Sequence, residues 1–365
     1  MDKKIIISGG GTGGHVFPAI SIANALKSID RDVIIHFVGA AGRLEMIKVP
    51  EAGYEISGLP VAGFERKLSF RNLSVIIRLL KSMYGAKKII SSFRPDVVVG
   101  VGGYASGPIL KIAQRKGIPT LIQEQNSYAG VTNKLLAKKA RLICVAYEGM
   151  EQYFPAEKIR LTGNPLRKDL VELDDKKQQA YGYFNLDGSL PVVLVLGGSG
   201  GSRTINESLA AAHKKLEEKG IQVLWQTGKY YYKTINDDFG GLGNRLVHIC
   251  DFIDRMDYAY AVADIVVSRA GAGTISELSL TGRASILIPS PNVAGDHQTK
   301  NAMALVNRKA ALMLVDSEAG LRLADTIIDL VNDPGKRKIL SDNISSMAFK
   351  DSDIKIAKEI LKLAE

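Results

Sequence analysis

Lys4-Ile5-Ile6-Ile7-Ser8-Gly9-Gly10-Gly11-Thr12-Gly13-Gly14-His15 is the stretch that decides the fold. Residues 5–8 form a short β-prone run, a glycine-rich turn follows, and residues 17–27 behind Pro18 carry helical spacing. Strand, glycine turn and helix make the opening unit of a doubly wound α/β domain. The glycines let backbone N–H groups approach a ligand without Cβ contact. The helix N-terminus adds partial positive charge, which favours phosphate. A titratable His15 in that turn points to chemistry beside a phosphate. Read alone, Gly9-x-Gly11-x-x-Gly14 also fits a dinucleotide fingerprint.

The same grammar recurs. Residues 33–38, 97–101, 120–123 and 142–145 read as strands, with helical spacing between most of them. They are rich in Val and Ile and apolar on both faces, as parallel strands covered by helices are. The pattern restarts after Pro191 with a strand at 192–196, the turn Gly197-Gly198-Ser199-Gly200-Gly201 and a helix from about Thr204. Strands at 223–226, 246–249, 265–268 and 286–288 continue it. The expected organisation is an α/β chain of two domains, 1–163 and 164–344, with the boundary near 163–166. A C-terminal helix at about 345–365 is expected to pack back on the first domain. Ligands of such sheets sit at the carboxyl ends of the strands, which places the expected site in a cleft between the domains.

Composition narrows the function classes. The 365 residues are 46% hydrophobic and 24% charged, ordinary for a soluble protein. Cys144 and Cys250 lie far apart in strand-like runs, which fits buried structural thiols in a reducing cytoplasm. The apolar run 5–7 gives way at once to glycines, so no signal peptide is expected. No apolar run approaches the ~18 residues of a membrane span. Charge is lopsided: residues 1–162 hold 23 Lys and Arg against 12 Asp and Glu, whereas the remainder is nearly neutral. Eight of those basic residues fall between Arg66 and Arg94, with no acid among them. There Leu73, Ile76, Ile77, Leu80, Met83 and Tyr84 follow helical spacing, which predicts a stripe packed into the core. Arg71, Arg78 and Lys81 lie off the stripe, and with Leu68 and Phe70 they suit an anionic membrane surface. The aromatics are not interleaved with the charges as a nucleic-acid platform requires.

A dinucleotide site wants an acid ending the second strand, about 20 residues on. Here His36-Phe37-Val38-Gly39-Ala40-Ala41 ends in glycine and alanines, and Glu45 comes late with the look of a helix residue. Arg43 leaves a 2′-phosphate open, so NADP stays an option. Sugar-nucleotide chemistry fits better. In Ser268-Arg269-Ala270-Gly271-Ala272-Gly273-Thr274-Ile275-Ser276-Glu277 a strand meets a glycine turn and a helix carrying a carboxylate. The helix start can hold a diphosphate, and the carboxylate can accept two ribose hydroxyls. Thr274-x-x-Glu277 is equally a capping box, and the 197–201 loop is either an anion nest or a plain β–α turn. Asp30-Arg31-Asp32 and Asp351-Ser352-Asp353 read as surface caps, and the five histidines lack ligand spacing, so no metal is expected. Leaving-group charge then falls to backbone donors, helix ends and Arg side chains.

Six stretches in order carry a family resemblance. They are residues 9–18, Gly102-Gly103-Tyr104-x-Ser106-Gly107-Pro108, Glu124-Gln125-Asn126, Thr132-Asn133-Lys134, Gly163-Asn164-Pro165-x-Arg167 and the 268–277 turn. Together they resemble the bacterial UDP-N-acetylglucosamine transferases that convert lipid I to lipid II in peptidoglycan synthesis, over almost the whole chain. The resemblance implies a GT-B fold of two Rossmann-like domains, inversion at the anomeric carbon, no metal and no cofactor. It implies a peripheral place on the cytoplasmic face of the cell membrane, beside other cell-wall synthesis or division proteins. It assigns the first domain to acceptor and membrane, the second to UDP-GlcNAc. For the donor it implies Thr12, Gly13, Gly14, Asn126, Arg167, Ser199, Ile253, Ala272, Gly273, Thr274, Ile275, Ser276, Glu277 and Gln298. Ile253, being apolar, would meet uracil through backbone groups. Gly200 and Ser202 depart from the family's commoner residues, a change that leaves the backbone nest intact.

His15 is the candidate base. A helix N-terminus disfavours imidazolium, which leaves a neutral ring to accept the proton of the sugar hydroxyl. Donation to a diphosphate is the other role open to it. Tyr104 and Glu124 stand as acceptor-side or supporting candidates. The rivals are another GT-B enzyme, such as a lipid glycosyltransferase or a UDP-GlcNAc 2-epimerase, and a non-catalytic nucleotide-binding scaffold at the membrane.

Overall fold

Strands apolar on both faces need helices above and below them, and the chain alternates the two throughout. A computed structural model describes residues 2–61, 71–166, 170, 173–198, 200–240, 246–293 and 296–365, the side chains of 71–76 excepted. The chain forms two units, Met1–Arg167 with Phe349–Glu365, and Lys168–Ala348.

The first unit runs β1 (Lys4–Gly9), α1 (Gly13–Ile29), β2 (Ile34–Ala40), α2 (Glu45–Glu51), β3 (Glu55–Leu59) and α3 (Arg71–Phe93). It continues with β4 (Val97–Gly102), α4 (Ser106–Arg115), β5 (Thr120–Glu124), α5 (Val131–Ala137), β6 (Leu142–Val145) and β7 (Ile159–Leu161). Its sheet has the order β3-β2-β1-β4-β5-β6-β7, parallel at every pairing. Strand order reverses between β1 and β4, so the glycine turns leaving those two strands stand side by side. Side chains alternate between faces along β1. Ile5 and Ile7 join the core on the α1 side, and Ile6 joins Ile109 and Leu110 of α4 on the other.

The second unit contains α6 (Lys177–Phe184), β8 (Val192–Leu196), α7 (Arg203–Glu217), β9 (Gln222–Gln226), α8 (Lys229–Ile235), β10 (Val247–Cys250) and α9 (Met256–Val262). It goes on through β11 (Ile265–Ser268), α10 (Ala272–Thr281), β12 (Ala284–Leu287), α11 (His297–Val306), β13 (Leu312–Met313), α12 (Ala319–Asn332) and α13 (Pro334–Ser345). Its sheet is β10-β9-β8-β11-β12-β13, again all parallel. The last helix, α14 (Ser352–Leu363), belongs to the first unit, where Ile356 and Ile360 share a core with Ile22 and Leu26 of α1. The chain leaves and re-enters that unit at one point. A Cβ on Gly163 would lie 2.2 Å from the Cβ of Phe349.

Several local expectations change. Helix α1 starts at Gly13, earlier than the spacing suggests, and holds Pro18 in its interior, so His15 lies in its first turn. Edge strands β3, β7 and β13 are additional; each pairs on one side only and is not buried along its length, so they lack the doubly apolar signature. Asp353 is buried, not a surface cap, and Cys250 is only half-buried. The largest change is α3. Its packed face sets the small residues Ser82, Gly85 and Ala86 among Met83, Ile89, Ile90 and Phe93, and a Cβ on Gly85 would meet Leu59 at 3.0 Å. Of the stripe expected in the core, Met83 packs against it, whereas Ile77 (48%), Leu80 (65%) and Tyr84 (74%) are exposed, and the side chains of Leu73 and Ile76 lie outside the described residues. Spacing reveals an apolar face but not which face a neighbour covers. Arg78 and Lys81 are exposed on the same helix. Leu68 and Phe70 lie outside the described residues, as does the side chain of Arg71. Among the described residues, no helix is long and apolar enough to cross a membrane.

Candidate active site

In the first unit the two glycine turns interlock. The turn after β4 requires glycine, because Gly102 and Gly103 have φ of +99° and +84°. A Cβ on Gly102 would lie 2.7 Å from Nε2 of His15, and one on Gly103 would lie 2.3 Å from the carbonyl oxygen of Gly10. The His15 ring is half-buried against this second turn. Its Nδ1 lies 3.2 Å from Gly10 O and 3.4 Å from Thr12 Oγ1. A carbonyl oxygen only accepts, so the Gly10 O contact favours the tautomer with the proton on Nδ1 and the lone pair of the neutral ring on Nε2. That is the tautomer a base at Nε2 needs. Thr12, Gly13 and Gly14 form the adjoining helix start, and Tyr104 lies 60% exposed on the second turn.

Glu124, at the end of β5, is buried. Oε1 accepts from the backbone N–H and the side-chain Nδ2 of Asn126 at 3.1 and 3.2 Å. Oε2 accepts from Gly130 N–H at 2.9 Å and Asn133 Nδ2 at 2.8 Å. Four donors on two oxygens make it the support of the Asn126 loop. The neighbouring Gln125 donates to Val101 O at 2.6 Å and bonds Gln123, which donates to Asn164 Oδ1 at 3.0 Å. Asn164 returns a bond to Gln125 O at 3.1 Å. The Glu-Gln-Asn and Gly-Asn-Pro stretches are thus one buried network, a link invisible from residues 39 positions apart.

In the second unit Ala272 opens α10 with Gly271 as its N-cap, so Thr274 is the third helical residue and cannot cap. The capping-box reading of Thr274 and Glu277 therefore falls. Glu277 is half-buried, and Oε2 accepts from the hydroxyl of fully buried Tyr260 at 2.9 Å. Arg269 anchors the turn before α10 to Asp316 and to Ile288 O and Pro289 O at 3.0 and 3.2 Å. Asn301 of α11 donates to Ala270 O at 3.3 Å. Gln298 spends its side-chain oxygen on Ser290 N–H at 2.8 Å, holding the loop before α11. Ile253 is buried and borders a pocket of about 410 Å³ with Phe252, Leu224 and Arg255. Strands β8 and β11 are paired neighbours, so the turn at 197–201 stands beside that at 269–271. Ser199 and Arg167 lie outside the described residues.

Neither thiol suits nucleophilic catalysis. Burial pushes both Cys144 and Cys250 up to about 12. Among the described residues, no three His, Cys, Asp or Glu gather as a metal site would need. Glu45, Tyr260, Arg269 and Asn164 are supports that the sequence reading missed. Only Arg269 and Asn164 stood in stretches singled out for resemblance.

Family models agree with this two-sheet design. The glycosyltransferase family 28 N-terminal domain matches residues 5–145, and the family 28 C-terminal domain matches residues 192–356. The fold is accordingly GT-B, two Rossmann-like parallel-sheet domains. Among relatives, the UDP-N-acetylglucosamine–N-acetylmuramyl-(pentapeptide) pyrophosphoryl-undecaprenol N-acetylglucosamine transferase of Bacteroides thetaiotaomicron is 55% identical over 369 residues, covering 100% of this chain and 99% of that one. The same-named protein of Flavobacterium psychrophilum is 50% identical over 362 residues, covering 99% and 98%. The crystal structure of MurG from Acinetobacter baumannii superposes with a TM-score of 0.77 at 26% identity, covering 99% of both chains. A UDP-GlcNAc 2-epimerase from Neisseria meningitidis, bound to UDP-GlcNAc, shares the fold alone, at 14% identity and a TM-score of 0.68 over 98% of this chain and 100% of that one. The chain belongs to the family of UDP-N-acetylglucosamine–N-acetylmuramyl-(pentapeptide) pyrophosphoryl-undecaprenol N-acetylglucosamine transferases.

Proposed function

We propose that this chain transfers GlcNAc from UDP-GlcNAc to the C4 hydroxyl of the muramyl sugar on an undecaprenyl-diphosphate-linked pentapeptide, lipid I, giving lipid II and UDP. The observation that carries the reading is 55% identity along the whole chain to a transferase of that name. In the step, Nε2 of His15 takes the C4–OH proton while the oxygen attacks C1 of GlcNAc from the face opposite the diphosphate. The C1–O bond breaks, its electron pair leaves with UDP, and configuration inverts to β. Backbone N–H groups at the start of α10 meet the diphosphate charge, and Glu277 accepts the ribose hydroxyls. Ala272, Gly273, Thr274, Ile275 and Ser276 form the donor turn. Gln298, Ile253, Ser199 and Arg167 belong with it through the family resemblance, as do Thr12, Gly13, Gly14 and Asn126 of the first unit.

The test is turnover. Purified chain with UDP-GlcNAc and a short-chain lipid I analogue should release UDP and form a β-1,4 disaccharide. Epimerised UDP-sugar without acceptor would favour the epimerase reading, and binding without turnover the scaffold.

The acceptor is a membrane lipid, and α3 is the proposed contact. Its exposed Ile77, Leu80 and Tyr84 beside Arg78 and Lys81 pair apolar surface with positive charge, as peripheral binding to the cytoplasmic face requires. Replacing Arg71, Arg78 and Lys81 by Gln should weaken binding to anionic liposomes by ~1 kcal/mol per charge and leave turnover of a soluble acceptor unchanged. Equal liposome binding by both proteins would move the contact elsewhere.

A further inference from the structure

Glu45, the first residue of α2, is fully buried. Oε1 accepts from Ala40 N–H at 2.8 Å and Oε2 from Gly11 N–H at 2.9 Å. Both flanking glycines clear its path, since a Cβ on Gly10 would lie 2.0 Å from Oε1 and one on Gly39 would lie 2.5 Å from Cγ. The Gly11 N–H and the Gly10 C=O are two ends of one planar peptide unit. That carbonyl oxygen is the acceptor of His15 Nδ1–H. A carboxylate, a peptide and an imidazole therefore lie in series, with Gly103 packed behind the carbonyl.

We propose that Glu45 is a positioning residue that orients His15 through the Gly10–Gly11 peptide. The inference rests on the reading of His15 as the base. Hydrogen bonds in a chain polarise one another. A negative oxygen on the N–H end makes the carbonyl end a stronger acceptor. The carbonyl then holds the proton on Nδ1, keeps Nε2 as the basic nitrogen and stabilises the ring as it takes up the C4–OH proton. The logic is that of a carboxylate orienting a catalytic histidine, with a peptide interposed.

Two measurements on the full chain test it. In the resting wild type, ¹⁵N NMR of histidine-labelled protein should show neutral His15 with its proton on Nδ1; a proton on Nε2 overturns the proposal whatever the variants do. Glu45→Gln keeps the shape, removes the charge and turns an amide NH₂ toward one backbone N–H. It should lower kcat about 10–100-fold, the range for a group that supports a functional histidine, with KM for UDP-GlcNAc within about two-fold. In a His15→Ala background the same change should cost almost nothing, because residues acting as one unit are not additive. Equal fold losses in both backgrounds would make Glu45 merely structural. A His15→Ala protein of undiminished kcat would instead sink the base reading, and the tautomer measurement would still judge the Glu45 link.

Discussion

The glycine-rich turns of the two units look alike in sequence and differ in what surrounds them. In the first unit the glycines are forced by the protein itself: Gly10 makes room for Glu45, Gly102 for the His15 ring and Gly103 for the Gly10 carbonyl. In the second, Gly201 is forced in the same way, with φ of +80° and a Cβ position 2.5 Å from Thr227 O, but Gly273 in the first turn of α10 has an ordinary backbone angle and no described atom within 4 Å of where a Cβ would stand, and Gly200 is the same. Nothing in the fold demands glycine at those two places. A crowded turn holds a side chain in one orientation, whereas an open one leaves backbone N–H groups for something that arrives from outside. The first arrangement suits a base and the second suits an anionic donor.

The largest expected effect falls on the crowded turn. His15→Ala should lower kcat by ~10²–10⁴ while UDP-GlcNAc KM stays within a few-fold. Loss confined to donor KM would make His15 a diphosphate donor and erase the contrast between the turns.

Next comes Glu277→Ala, which removes a charged acceptor worth ~1.5–3 kcal/mol and should raise donor KM about 10- to 100-fold. It also strips the Tyr260 hydroxyl of the acceptor at 2.9 Å. Tyr260→Phe separates the two, since a stability loss of about 1 kcal/mol with little change in KM should follow there. If Tyr260→Phe raised KM as much, the carboxylate would act only as an anchor.

Gly103→Ala should cost about 1–3 kcal/mol of stability, seen as a lower denaturation midpoint, because of both its positive φ and its close contact. Gly273→Ala should do the reverse. Alanine inside α10 stabilises by up to about 1 kcal/mol, while its methyl group stands where the diphosphate would come, so donor KM should rise several-fold in a protein that melts no lower. Unfolding by Gly273→Ala, or unchanged KM, would remove the distinction on which the comparison rests.

The central strands of both sheets were legible because they are buried on both faces and read as unbroken Val and Ile. Edge strand β3, Glu55-Ile56-Ser57-Gly58-Leu59, carries no such mark. Local pattern located α3 and placed Met83 inward but not the exposed Ile77, Leu80 and Tyr84, since Ser82, Gly85 and Ala86 look inert until a neighbour is seen to need their smallness. The candidate residues were found where chemistry is local, as at His15 in its glycine turn. They were missed where it is distant. Glu45 reads as an ordinary helix acid, and only the fold brings it across 34 positions to Gly11. Tyr260 is likewise a core aromatic until Glu277 is placed beside it.

The return of α14 to the first unit sets an order of events during synthesis. Ile356 and Ile360 complete the core that begins with Ile22 and Leu26 of α1, yet the ribosome makes them after every residue of the second unit. At ~5–20 residues per second, the apolar side of α1 waits on the order of twenty seconds or more for its cover. The second unit, Lys168–Ala348, can mature in that interval, while the first remains an unfinished sheet with a greasy helix on it. The core that α1 shares with α14 therefore cannot close until the whole of the second unit has been synthesised, although β1 meets its partners β2 and β4 long before.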